Sequence, residues 1–207
     1  TIEGGMISTN NKELYELMRL KRSHGLAREM STEEFNDAKQ KYPNIDSRFL
    51  FMSDGYNFRN TEVGAVLGLS QLKRLDDSIV IRRRNYAYFV EKLAEFSDHV
   101  YIPDPSPRNS SFVFPIVCKT PELMHKIKDS FFKHEIENRP IVAGNLLRQP
   151  FLREYKTKTK LPNADILNDN GVYIGNNQFV TFEMIDLLIE IIRKNVNEGY
   201  HQPNDHP

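Results

Sequence analysis

The 207-residue chain has no net charge to speak of: 28 lysines and arginines cancel 28 aspartates and glutamates. That balance removes the global electrostatic case for nucleic acid or an anionic membrane as partner. Long apolar runs are missing too. None approaches the roughly 18 residues that a membrane-spanning helix needs. A single cysteine, Cys118, excludes an intramolecular disulfide. It ends the apolar run Phe112-Val113-Phe114-Pro115-Ile116-Val117-Cys118 and reads as a buried, inert thiol rather than a reactive one. Such cysteine usage fits a cytoplasmic protein. The six histidines are scattered, with no metal-ligand spacing, and two of them fall in the last residues. Internal repeats and low-complexity tracts are absent. So are an initiator methionine and a visible targeting segment. The chain opens with Thr1-Ile2-Glu3-Gly4-Gly5-Met6-Ile7-Ser8-Thr9, a two-glycine turn that leads through an apolar step into a helix start. That opening reads as the inside of a domain, and the expectation is the C-terminal part of a longer protein.

What is present is ordinary for a globular protein: 39% hydrophobic and 27% charged residues. Met6 and Ile7 suggest a short strand end. Asn10 or Asn11 can cap a helix that runs to about Ser23, with Gly25 as its stop. Residues 27–52 are polar and weakly periodic. A short helix near Thr32–Lys41, started by Ser31 or Thr32, is expected there inside a long surface loop. A second helix opens at Asn60 or Thr61, with Glu62 in its first turn. Its apolar pattern continues for some 35 residues, long enough that a break near Asp76-Asp77-Ser78 is expected. After the proline-rich link Pro103-Asp104-Pro105-Ser106-Pro107 the signals alternate. Strands are expected at 112–118, 136–142 and 172–174. Helices are expected from Thr120 to about His134, at 164–170 and at 181–196. The division implied is 1–75, a connecting helix 76–99, a small α/β domain 100–196, and a disordered tail 197–207.

Four places carry candidate chemistry. Gly55-Tyr56-Asn57-Phe58-Arg59 precedes a helix start, whose free N–H groups and dipole favour an anion. Asn57 would add an amide donor and Arg59 a guanidinium. The plainer reading is an Asx turn with Arg59 paired to Glu62. His24 stands at a helix end, either as a dipole-compatible cap or as a substrate contact. The loop Gly144-Asn145-Leu146-Leu147-Arg148-Gln149-Pro150 follows a strand and offers polar side chains, as a structural turn or as a ligand loop. Arg82-Arg83-Arg84 reads as a solvated face or a subunit contact.

Taken together, these segments resemble the DegT/StrS family of sugar-nucleotide aminotransferases. The resemblance rests on three blocks: Glu3-Gly4-Gly5-Met6-Ile7-Ser8-Thr9, then Arg22-Ser23-His24-Gly25, then Gly55-Tyr56-Asn57-Phe58-Arg59-Asn60-Thr61-Glu62 with Gly68-Leu69-Ser70-Gln71-Leu72-Lys73-Arg74-Leu75-Asp76. It runs to about Asn195. It implies an α/β fold-type-I transferase dependent on pyridoxal 5′-phosphate (PLP). Residues 1–75 would be the end of the large cofactor domain and the rest the small C-terminal domain. It further implies a homodimer with shared active sites, in which Asn57 reaches the PLP phosphate of the neighbouring subunit. The PLP lysine would fall before Thr1. The implied substrate is a nucleotide-linked 4-keto-6-deoxyhexose, with glutamate as amino donor, feeding surface polysaccharide such as O-antigen. Asn145, Arg148, His24 and Arg59 would line the substrate side. One branch of the family removes the C3 hydroxyl instead, with histidine in place of the PLP lysine. The loop 143–150 and the opening Thr1-Ile2-Glu3-Gly4-Gly5-Met6 resemble that branch. The competing expectation is a regulatory or assembly protein that keeps the fold without a working site.

Overall fold

The structure is a computed structural model and describes residues 3–155 and 160–197. The chain forms two compact units, Thr1–Lys73 and Arg74–Pro207.

The first unit is helical and held by caps more than by a core. The Asn11 side chain accepts from the Leu14 amide at 3.0 Å and starts α1 (Lys12–Arg22). Ser31 and Glu34 close a reciprocal capping box at the start of α2 (Thr32–Lys41), two residues ahead of Pro43. Thr61 accepts from the Gly64 amide at 3.3 Å and starts α3 (Glu62–Leu72). The buried apolar cluster is small: Ala27, Ala38 and Leu50, with Met30, Phe35 and Tyr42 against it. Residues 27–52 are therefore more ordered than the surface loop expected. Two 3-10 turns, Ala27–Glu29 and Ser47–Phe49, flank α2 and fold onto this cluster. Helix α3 buries no residue, and Val63, Val66, Leu69 and Leu72 are all exposed. Met6 and Ile7 form no strand and are also exposed.

The second unit has a continuous core. Helix α4 (Leu75–Leu93) follows α3 after a break at Lys73 and Arg74. Asp76 and Asp77 lie in its first turn, where their charge suits the helix dipole, so the break falls slightly before the expected place. Four strands follow: β1 (Val100–Tyr101), β2 (Val113–Cys118), β3 (Arg139–Pro140) and β4 (Gly171–Gly175). They make one antiparallel sheet in the order β1-β2-β4-β3. Helices α5 (Pro121–Lys133), α6 (Pro162–Asn170) and α7 (Phe182–Asn197) complete the unit. Alternation along β2 turns Phe114, Ile116 and Cys118 inward. There they join Phe89 and Leu93 of α4, Met124, Ile127 and Phe131 of α5, and Ile185, Ile189 and Ile192 of α7. Burial pushes the Cys118 thiol up to about 12, so it stays protonated and inert, as its apolar setting suggested.

The strand expected over 136–142 shrinks to Arg139 and Pro140. Pro140 has no N–H to donate, and the backbone turns left-handed at Glu135 before it and at Ala143 and Gly144 after it. The two-residue strand β1 was not foreseen, being too short to show a period. Helix α7 runs to Asn197; residues 198–207, most of the expected tail, lie outside the described residues.

Candidate functional site

In the first unit, two segments about 30 residues apart are laced together by backbone bonds. The amides of Tyr56 and Phe58 donate to the carbonyls of Lys21 (2.6 Å) and Arg22 (2.9 Å), and His24 donates back to Tyr56 (2.8 Å). Met52 donates to Gly25 and Ala27 to Leu50, each at 2.8 Å. The lacing needs close backbone approach. Gly25 has φ +78°, and a Cβ there would strike the Ser53 carbonyl. A Cβ on Gly55 would strike the backbone of His24 and Gly25. His24 itself sits at φ +61°, an uncommon place for a residue with a side chain. Gly25 and Gly55 are thus positions where any side chain collides.

This lacing sets Asn57 opposite Ser23, joined as an isolated antiparallel bridge. His24 and Arg59, each read separately from the sequence, come to the same place. Asn57 Oδ1 accepts from Arg59 Nε at 3.4 Å, and no described residue bonds the Asn57 Nδ2 group. Arg59 forms no ion pair with Glu62 among the described residues, so the plainer sequence reading does not hold for it. Tyr56 and Phe58 stack with centroids 5.1 Å apart. Just beyond in the chain stands the start of α3, where Thr61 takes the Gly64 amide and the Glu62 and Val63 amides have no partner among the described residues. Chemically, this is an exposed amide and guanidinium pair beside a positive helix end, suited to an anion. Sequence reasoning missed Ser23. It is fully buried beneath the bridge, and its Oγ donates to Glu29 Oε1 at 3.3 Å.

The second unit holds Asn145 and Arg148, and they are engaged differently. Asn145 is buried; its Oδ1 accepts from the Leu147 amide at 3.0 Å and its Nδ2 donates to Asp165 at 2.7 Å. Arg148 donates to both oxygens of Asp169, at 2.6 and 3.0 Å, and lies 2.6 Å from Asp165. The carboxyls of α6 are held low as a result: Asp169 chiefly by Arg148, and Asp165 first by Asn145 and then by Arg148. These carboxylates in turn raise the Arg148 guanidinium. Gly144, at φ +48°, packs so tightly on Asn168 that a Cβ would overlap it. Asn145 and Arg148 therefore clasp the loop to α6. The Asp165/Asp169 pair, one helical turn apart, was the signal overlooked in the sequence.

Among the described residues no group of His, Cys, Asp and Glu is placed to hold a metal ion, and no helix is long and apolar enough to cross a membrane.

With this geometry in hand, similarity to known proteins is informative. The chain is 32% identical, over 93% of its length, to GDP-4-keto-6-deoxy-D-mannose 3-dehydratase of Escherichia coli O55:H7, covering 51% of that protein. It is 30% identical, over 91% of its length, to GDP-perosamine synthase of Caulobacter vibrioides, covering 47%. Among solved structures, the E. coli GDP-4-keto-6-deoxy-D-mannose-3-dehydratase with bound hydrated PLP superposes with a TM-score of 0.75 at 28% identity, over 89% of this chain and 48% of that one. The chain thus spans about half the length of the curated relatives it matches. The expected fold, the fold-type-I α/β architecture of PLP-dependent transferases, agrees with that superposition. The DegT/DnrJ/EryC1/StrS aminotransferase family matches residues 1–193, and the chain belongs to that family.

Proposed function

We propose that this chain is the C-terminal part of a longer PLP-dependent enzyme acting on a nucleotide-linked 4-keto-6-deoxyhexose in surface polysaccharide synthesis. Residues 1–75 would close the large cofactor domain, 76–99 would connect, and 100–196 would form the small domain. The reaction is amino transfer, with glutamate as donor, or removal of the C3 hydroxyl. The 3-dehydratase relative and the sequence of loop 143–150 favour the second. The enzyme works as a cytoplasmic homodimer whose active sites are shared.

The observation that carries this reading is the placement of Asn57. Its Oδ1 is committed to Arg59, which leaves Nδ2 as a donor beside the α3 start. The close packing of Gly25 and Gly55 in the lacing fixes the backbone that carries Asn57. These residues fit the phosphate of PLP, which supplies an electron sink when bound. Asn57 would hold that phosphate in the neighbouring subunit, with His24 and Arg59 toward the substrate. Asn145 and Arg148 would serve the sugar-nucleotide side by fixing their loop.

The test uses the full-length protein and its PLP absorbance. Asn57→Ala is expected to weaken PLP binding about tenfold, the scale of one charge-assisted hydrogen bond. Unchanged cofactor affinity would sink the phosphate role. The residue at the PLP-lysine position, a few places upstream of Thr1, separates the two reactions: lysine for transamination, histidine for deoxygenation.

A further inference from the structure

Three side chains meet on the Glu29 carboxylate, a group with no part in the contacts proposed so far. Oε1 accepts from Ser23 Oγ at 3.3 Å. Oε2 accepts from Arg22 Nη2 at 3.3 Å and lies 4.0 Å from Arg19 Nη2. The Glu29 side chain is 18% exposed, whereas that of Asp54, which pairs with Lys21 in the same unit, is 84% exposed. A pair as open as the second contributes little. The covered carboxylate, with both oxygens engaged, holds its donors more firmly.

Glu29 is itself mounted on the small core. It ends the 3-10 turn Ala27–Glu29. Ala27 is fully buried, and its amide donates to the Leu50 carbonyl at 2.8 Å. The Glu29 amide donates to the carbonyl of Leu26 at 3.0 Å, and Leu26 is buried and bridged to Phe51. The carboxylate therefore stands on a fixed backbone, which gives the packing of residues 27–51 a use at the site.

What Glu29 holds is the segment that pairs with Asn57. Ser23 is fully buried and forms the bridge to Asn57. On either side of it the Arg22 carbonyl accepts from Phe58 and the His24 amide donates to Tyr56. Without Glu29 the buried Ser23 hydroxyl would lose its acceptor, which is costly enough to displace a segment. His24, next in the chain, keeps its φ of +61° only while its surroundings hold it there.

We infer that Glu29 is a positioning residue: through Ser23 and Arg22 it sets the bridge that places Asn57 and holds His24 in its left-handed conformation. The placement stands on these contacts; only its consequence for PLP rests on the function proposed above. The experiment uses full-length protein, with hydrogen exchange of the His24, Tyr56 and Phe58 amides as one reading and PLP affinity by absorbance as the other. Glu29→Ala should lower protection of the three amides roughly tenfold and weaken PLP roughly fivefold, the scale of one lost hydrogen bond to a charged group. Glu29→Gln keeps an acceptor for Ser23 but no charge for Arg22, and should fall between. Ser23→Ala removes one hydroxyl, and its loss combined with that of Glu29→Ala should be smaller than the sum of the two, because both cut one contact. Asp54→Asn breaks the exposed pair and should stay within about twofold on both readings. Where Glu29→Ala does not fold, Glu29→Gln and Ser23→Ala carry the same readings. Unchanged protection of the three amides overturns the inference, as do an equal effect in Asp54→Asn and additive losses in the double variant. Lost protection with unchanged PLP affinity, in a protein whose Asn57→Ala variant loses PLP, marks Glu29 as a stabiliser only and overturns the positioning role. Where Asn57→Ala leaves PLP affinity unchanged, the proposed function fails and the exchange readings alone decide for or against Glu29.

Discussion

Arg148 is held by two carboxylates, and protons compete with it for both. Asp165 and Asp169 have folded values below their ordinary range, so the stability they contribute is present above the unfolded carboxylate pKa of about 3.9 and is lost as pH falls through the depressed folded values. Protection factors of the amides in residues 144–149, taken against the intrinsic exchange rate at each pH, should therefore fall below about pH 4, before the core of α5 and α7 responds. Protection that stays constant down to global acid unfolding would contradict the clasp. The glycines of the lacing make a separate residue-scale test. Gly55→Ala sets a methyl group against the His24 and Gly25 backbone, which cannot yield like a flexible side chain. A cost of about 1–3 kcal/mol is expected for such overpacking, read as a lower urea midpoint. Gly64→Ala, where a Cβ would make only ordinary contact with Thr61 Oγ1, should be neutral or stabilising.

At the scale of elements, the sequence is legible where a cap or a period speaks locally. Asn11, Ser31, Thr61 and Thr120 each start the helix expected of them through a side-chain bond made three residues on. Ser31→Ala should cost about 1 kcal/mol and lower α2 helicity, because it removes the capping-box acceptor. An unchanged melt would mean that the Ala27, Ala38 and Leu50 cluster holds α2 without it. The strand β2 was legible as an apolar run, though its alternation only has meaning once α5 and α7 cover one face. What stayed hidden depends on partners far along the chain. The lacing of residues 21–27 to 50–58 is made by backbone groups, which carry no residue signature apart from Gly25 and Gly55. For the same reason Asn57, His24 and Arg59 could be picked out singly but not seen to meet. Asn145 looked like a ligand residue because its burial and its bond to Asp165 are tertiary facts. The expected strand at 136–142 failed because Pro140 and the left-handed Ala143 leave β4 only two residues to pair.

At the scale of the whole chain, the two units differ in what could hold them. The second unit buries large side chains from α4, β2, α5 and α7 in one cluster, with Phe89, Phe114, Phe131 and Ile192 fully covered. Phe114→Ala there is expected to cost about 3–5 kcal/mol, the range for a buried phenylalanine in a packed core. Among its described residues the first unit buries four apolar side chains, Leu26, Ala27, Ala38 and Leu50, two of them alanine. Helix α3 shows valines and leucines on every side, a pattern that a stable helix buries. Hydrophobic burial scales with area, so the smaller cluster cannot match the larger in opening free energy. Hydrogen exchange on the 207-residue chain should show this directly: amides of β2, α5 and α7 protected, those of α3 exchanging at least a hundredfold faster, a ratio that corresponds to about 2.7 kcal/mol. Within the full-length protein, where about as much chain again is proposed, α3 should gain protection toward the level of α7. Equal protection of α3 and α7 in the 207-residue chain would show that α3 needs no covering partner, and the reading of residues 1–75 as the end of a larger domain would then lose its physical support.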